Sequence, residues 1–129
     1  MQEHREAVLV FDRDGEVMAF PRLEDAAGWM ESIDVLDGEY ERTFTPDGRV
    51  VEITGVRDSP VSLRITTERE DIGLRERLMR SRARMGFASD VDDPVSVANE
   101  LMRREWELSW PRRPNWLRRR IHGDHPPQI

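Results

Sequence analysis

The sequence contains no cysteine and no lysine. Without cysteine the chain can form no disulfide, no thiol nucleophile and no zinc–thiolate site. All 20 of its Lys-or-Arg positions are arginine, a substitution typical of a high-GC genome. The chain also lacks a signal-peptide pattern and any apolar run near the roughly 20 residues that a membrane-spanning helix needs. We therefore expect a soluble, cytoplasmic protein.

The formal net charge of −6 is unevenly distributed. Residues 1–60 hold 15 acids and 6 arginines, residues 61–89 hold 4 and 7, and residues 90–129 hold 7 of each. Such asymmetry affects the choice of partner and the association rate rather than the fold. From the length of 129 residues we expect a single domain over residues 1–121, followed by a flexible tail over residues 122–129.

Two Asp-Gly pairs organise the first half of the chain. Residues 11–17 and 44–50 share the pattern F-x-x-D-G-x-V. Aspartate tolerates turn geometry, and glycine supplies the positive φ that closes a tight hairpin. The pattern predicts strands over residues 7–11, 16–20, 39–45 and 49–54. Residues 61–66 alternate between apolar and polar side chains, which predicts a fifth, half-buried strand.

Helical periodicity marks three further segments. Residues 22–33 predict a helix whose buried stripe is Leu23, Ala26, Ala27, Met30 and Ile33. Residues 71–85 predict a helix that ends at Gly86. Its broad apolar face comprises Leu74, Leu78, Met85, Ile72, Met79 and Ala83, and its other side carries Arg75, Arg77, Arg80, Arg82 and Arg84.

The third helical segment begins at Asp93-Pro94, an N-cap followed by proline at the first helical position. Val95, Ala98, Met102 and Trp106 would line one side of this helix to about residue 108. Asn115 would cap a short C-terminal helix. The whole pattern predicts an α+β fold of order ββα-βββ-αα: a mainly antiparallel five-stranded sheet with helices packed on it.

Acidic side chains are dense around the first helix and its flanking turns. Solvated charge is the default interpretation, and attraction of a basic partner is the functional one. The candidate partner-binding residues of this acidic face are Asp14, Glu16, Glu24, Asp25, Glu31, Asp34 and Asp37.

Tryptophan and arginine alternate near the C-terminus. Residues 109–121 hold five arginines and no acid. This segment could pack back onto the sheet, form a second protein interface, or bind nucleic acid by base stacking and phosphate contacts. The pI near 5.1 weighs against nucleic acid. The candidate residues of the second interface are Trp106, Trp110, Arg112, Arg113 and Trp116.

Residues 8–15, V-L-V-F-D-R-D-G, resemble the first motif of haloacid dehalogenase-type phosphatases. The resemblance implies a parallel, doubly wound sheet, with Asp12 as nucleophile and Asp14 as acid/base beside Mg²⁺. It covers eight residues only, and a second strand follows the Asp-Gly pair at once. We interpret both aspartates as turn residues and expect no catalytic residue, no metal and no cofactor.

A longer pattern joins V-L-V-F-D-x-D-G, E-D-A-A-G-W-M-E-S-I-D-V-x-D-G-E-Y, R-E-W-E and W-P-R-R-P. It resembles a group of small uncharacterised proteins from actinobacteria, some of which are similar to the immunity proteins that neutralise secreted polymorphic toxins. The resemblance implies a non-enzymatic binding protein whose acidic face covers a basic toxin or effector, and it assigns no site residue. The alternative function is a nucleic-acid-associated regulator that uses the arginine-bearing helix over residues 71–85 and the Trp/Arg segment near the C-terminus. A Mg²⁺-dependent phosphatase is a third, more remote alternative.

Overall fold

A computed structural model describes residues 7–109 and 128–129. Its strands form one antiparallel sheet in the order β2-β1-β3-β4-β5, with helices packed on it. The predicted α+β class is confirmed, while the short helix expected after Asn115 lies outside the described residues. The elements are β1 Val8–Asp12, β2 Val17–Phe20, α1 Leu23–Trp29, α2 Ser32–Leu36, β3 Tyr40–Phe44, β4 Arg49–Thr54, β5 Ser62–Arg69, α3 Asp71–Met85 and α4 Pro94–Ser109.

Both Asp-Gly pairs form hairpin turns, as the sequence predicts. Gly15 and Gly48 adopt φ values of 83° and 89°, a region open to glycine and strained for other residues. The Gly15 amide donates to the Asp12 carbonyl at 3.2 Å, and the Gly48 amide donates to the Thr45 carbonyl at 3.0 Å. Each turn therefore returns the chain antiparallel to the strand before it.

The first strand, β1, lies inside the sheet between β2 and β3 and is covered on both faces. Leu9 and Phe11 join a core cluster with residues of α3 and α4. Val8 and Val10 join a second cluster with Ala26 and other residues of the α1 side. Alternate side chains of a strand point to opposite faces, so this continuous apolar run supplies both cores.

The prediction of one helix over residues 22–33 is wrong in its second half. Met30 and Glu31 are extended, with ψ values of 144° and 140°, and they separate α1 from α2. The break resets the helical phase, so Val35 packs on the second core cluster. Ile33, which the predicted stripe places in the core, is 61% exposed. We call residues 29–37 the elbow.

The apolar face of α3 is narrower than predicted. Leu74 and Leu78 are buried, whereas Ile72 is 74% exposed and Met79 is 43% exposed. Ser81 takes a core position because its hydroxyl donates to the Gly15 carbonyl at 2.9 Å. This hydrogen bond connects α3 to the first hairpin turn. The pattern of apolar residues does not predict that a serine is buried here.

The start of α4 follows the prediction. The Asp93 carboxylate accepts the Ser96 amide at 3.2 Å, which makes Asp93 the N-cap before Pro94.

Within the predicted tail, the Ile129 amide donates to Asn99 Oδ1 at 2.8 Å. Residues 122–127 of that tail lie outside the described part of the chain. None of the described helices is long and apolar enough to span a bilayer.

Candidate protein-binding surface

The first hairpin turn and the connection between α2 and β3 lie at the same end of the sheet. Asp12 pairs with Tyr40 where β1 ends. The Arg13 amide then donates to the Glu39 carbonyl at 2.9 Å. This register brings Asp14 beside Asp12 and Glu39, with one carboxylate oxygen of each within 4.8 Å of the others.

Internal contacts engage two of these three carboxylates. Asp12 Oδ1 accepts the Asp14 amide at 2.9 Å and the Glu16 amide at 3.0 Å. Glu39 forms an ion pair with Arg13 at 3.1 Å. The contacts of Asp12 are those of a turn residue, as the sequence predicts. The described strands are antiparallel, so they do not form the parallel sheet that the phosphatase resemblance implies.

Tyr40 reports the electrostatic character of this end of the sheet. Burial raises the pKa of its hydroxyl, and the negative charges of Asp34, Glu39, Glu31 and Asp12 raise this pKa further. Four carboxylates from three different segments therefore act on one side chain. The surface around Tyr40 is negative.

The elbow carries acids for which the described part of the chain supplies no cationic partner. Residues 23–41 contain seven acids and no arginine, lysine or histidine. Glu31 and Asp37 are exposed and Asp34 is half-buried. None of these three forms an ion pair with another described residue. Their charge is therefore available to a partner.

The structure does not gather the whole predicted acidic face at one end of the sheet. Glu24 and Asp25 lie in the first turn of α1, shortly after Phe20. Phe20 pairs with Val8, at the end of β1 opposite to the hairpin turn. The predicted residues that lie at the turn end, within the turn or in the elbow beside it, are Asp14, Glu16, Glu31, Asp34 and Asp37.

Apolar side chains in the elbow are a feature that the sequence analysis missed. Trp29, Ile33 and Leu36 are 45%, 61% and 56% exposed. The Trp29 ring lies 5.5 Å from the Phe20 ring and 5.6 Å from the Tyr40 ring, measured between centroids. The break at Met30 has no periodic signal, so a continuous helix was expected. The absence of basic residues from 23–41 is the signal that could have marked this segment.

The arginine face of α3 is engaged within the fold at three positions. Arg75 pairs with Asp92 at 2.6 Å, Arg77 with Glu41 at 3.2 Å, and Arg84 with Glu16 at 3.6 Å. These pairs neutralise part of the positive charge that a nucleic-acid interface would need. Two of them, Arg77–Glu41 and Arg84–Glu16, also bind α3 to the acidic first half of the chain.

The second predicted interface falls mostly beyond the described residues. Trp106 is half-buried in α4. Trp110, Arg112, Arg113 and Trp116 lie outside the part of the chain that the structure describes. The contribution of the Trp/Arg segment therefore stays a prediction.

A cavity of about 280 Å³ opens where α3 and α4 begin, beside Pro46. Its lining includes Arg75 and Asp92, which bind each other. Because these opposite charges already satisfy each other, the cavity presents no free ionic group of theirs to a ligand. The elbow remains the better candidate for recognition.

Comparison with known proteins gives no further assignment. A scan against protein-family models finds no match, and neither does a search of curated proteins or a search of solved structures.

Proposed function

We propose that the chain is a non-enzymatic protein-binding module of the cytoplasm and, more specifically, an immunity-type inhibitor of a basic toxin. One observation carries the proposal: Glu31, Asp34 and Asp37 form no ion pair with a described residue and lie among exposed apolar side chains. The resemblance to immunity proteins supports the same class of function.

An acidic surface that contains exposed apolar side chains can increase both the rate and the affinity of association with a basic partner. A surface of one charge sign attracts an oppositely charged partner over several ångströms and raises the association rate. Apolar side chains beside it lose contact with water on binding and slow dissociation. A toxin that acts on nucleic acid needs a cationic active site, and an acidic surface is complementary to such a site.

The arginine ion pairs weigh against the nucleic-acid alternative. An electrophoretic mobility assay with the full chain distinguishes the two functions. The proposal predicts no complex with DNA or RNA at moderate salt. A complex that forms at low salt and fades as salt rises would support phosphate-driven binding instead.

A phosphatase assay tests the remote enzymatic alternative. Mg²⁺-dependent turnover that Asp12→Asn abolishes would support it.

Co-expression with a cognate toxin tests the proposal directly. The probe is the toxin domain of a large secreted protein encoded next to the gene for this chain, produced in a host that it kills. We expect the full chain to restore growth and to co-purify with the toxin. Continued killing at equal or greater expression of this chain would overturn the immunity function, as would the lack of an encoded toxin.

A further inference from the structure

The short helix α2 turns one aliphatic residue inward and two outward. Val35 packs on the second core cluster. Its Cγ1 atom lies so close to Gly55 that a β-carbon there would approach to 2.8 Å. Ile33 and Leu36, three residues apart, share the opposite side of the helix. The core therefore holds α2 through Val35, and burial in the core does not explain the other two.

Trp29 adds an aromatic surface at the other side of the break. Its ring packs at tilted angles of 44° and 55° against the rings of Phe20 and Tyr40, yet 45% of the residue stays exposed. A side chain that is both ordered and exposed loses little conformational freedom on binding. We call Trp29, Ile33 and Leu36 the elbow patch.

Carboxylates border the elbow patch. At about 100° per helical residue, Asp37 projects about 40° from Ile33 around the α2 axis, and Asp34 about 100°. Glu31 occupies the N-cap position of the same helix. Isolated exposed apolar residues are common on protein surfaces, but this group combines three of them with three acids that form no ion pair with a described residue.

We propose that the elbow patch binds an amphipathic basic segment of a protein partner. The partner's apolar side chains cover Trp29, Ile33 and Leu36, and its arginines or lysines reach the bordering carboxylates. Charge complementarity selects this occupant, because an acidic segment or a nucleic acid would bring more negative charge to Glu31, Asp34 and Asp37. The inference rests on the proposed function and specifies which surface is used and what it recognises.

A designed peptide tests the inference with the full chain. The probe is a fluorescently labelled 18-residue helical peptide of leucine and arginine, titrated by fluorescence polarisation at moderate salt. One control peptide replaces leucine with serine at the same charge, and another replaces arginine with glutamate. We expect both controls to bind at least about tenfold more weakly than the probe, a difference of about 1.4 kcal/mol.

Two double variants and a matched control locate the contact. Ile33→Ser with Leu36→Ser is expected to weaken probe binding at least about tenfold without changing any charge. Glu31→Gln with Asp37→Gln is expected to weaken binding and to reduce its salt dependence. Ile72→Ser removes an isoleucine that is 74% exposed on α3 and is expected to leave binding unchanged. Circular dichroism of each variant verifies that it is folded.

Three results would overturn the inference. They are wild-type affinity in the Ile33/Leu36 double variant, equal binding of the arginine–serine peptide, and a dimer that sedimentation detects and Ile33→Ser dissolves. The last would make a second copy of the chain the occupant. If the elbow variants bind the probe normally while the chain still neutralises its toxin, the inference fails and the proposed function stands. In the reverse case the elbow variants lose probe binding but the wild-type chain does not protect against the toxin. The inference then stands and the proposed function fails.

Discussion

Thr43 carries a buried hydroxyl for which the described residues supply no hydrogen-bond partner. The residue is fully buried and pairs with Val10, on the face covered by α1. Leaving a buried hydroxyl unpaired costs about 1–3 kcal/mol. Thr43→Val keeps the shape and removes this group, so we expect it to raise the free energy of unfolding by about 1 kcal/mol. Urea denaturation measures this change.

Thr43→Ser is the control for that substitution. It keeps the hydroxyl and deletes a buried methyl group, so the free energy of unfolding is expected to fall by about 1 kcal/mol. A loss of stability in both variants would mean that the Thr43 hydroxyl has a partner that stabilises the fold.

Glu100 fastens the loop between α3 and α4. Its carboxylate accepts the Ser89 amide at 2.8 Å, the Ser89 hydroxyl at 2.6 Å and the Ala88 amide at 2.9 Å. Burial acts to raise the pKa of Glu100, but these hydrogen bonds outweigh it and the pKa lies below the ordinary value of 4.5. The stability that Glu100 contributes is therefore present at neutral pH. It is lost as the pH falls below 4.5 and through the lowered pKa of the folded state.

Glu100→Gln tests this pH dependence. We expect the variant to lose about 1–2 kcal/mol of unfolding free energy at pH 7, because an amide is a weaker acceptor than a carboxylate. Its deficit relative to the wild type is expected to shrink as the pH approaches 3, measured by thermal or urea unfolding at a series of pH values. A deficit that does not depend on pH would contradict the assigned role of the charge.

At the scale of the elements, local turn and cap chemistry was predictable and the elbow was not. The Asp-Gly turns and the Asp93 cap depend on neighbouring residues, and all three formed where the sequence predicts. The helix break depends on two extended residues, Met30 and Glu31, whose side chains are ordinary helix formers. After the break, Met30 and Val35 both pack in the second core cluster, a tertiary contact that helix propensity does not describe. The patch that this break exposes could therefore not be read from apolar periodicity.

The second hairpin turn packs against the start of α3, so a side chain at position 48 has no room. The Gly48 carbonyl accepts the Glu70 amide at 2.9 Å. A β-carbon on Gly48 would overlap the Asp71 carboxylate, which Arg69 binds at 3.2 Å. Gly48→Ala is expected to lower the free energy of unfolding by about 2–3 kcal/mol, through strain at positive φ and through this overlap.

Gly38→Ala is the matched control for the second turn. Gly38 also has a positive φ, 75°, but no atom lies within 4 Å of an added β-carbon. Strain alone is expected there, about 1 kcal/mol. Urea denaturation of both variants separates the two effects. Equal losses would show that the contact between the turn and α3 adds nothing to stability.

At the scale of the whole molecule, some acids are neutralised by arginines and others have no ionic partner within residues 7–109 and 128–129. Glu16 and Glu41 are paired with arginines of α3, whereas Glu31 and Asp37 have no described ionic partner. The sequence shows directly that acids are dense around the first helix. It could not predict which acids the arginines of α3 would reach, because these pairs join segments more than 30 residues apart.

The most direct test of the account is the association rate constant of the full chain with the leucine–arginine peptide, measured by stopped-flow fluorescence over a range of salt concentrations. Glu31→Arg with Asp37→Arg is compared with Glu76→Arg and Glu107→Arg, an equal change of charge at exposed acids of α3 and α4. We expect the wild-type rate to fall steeply as salt rises. We also expect the elbow reversal to slow association at least about tenfold at low salt and several-fold more than the control reversal does. Equal slowing by both reversals, or a rate that salt does not change, would contradict recognition through the acidic elbow.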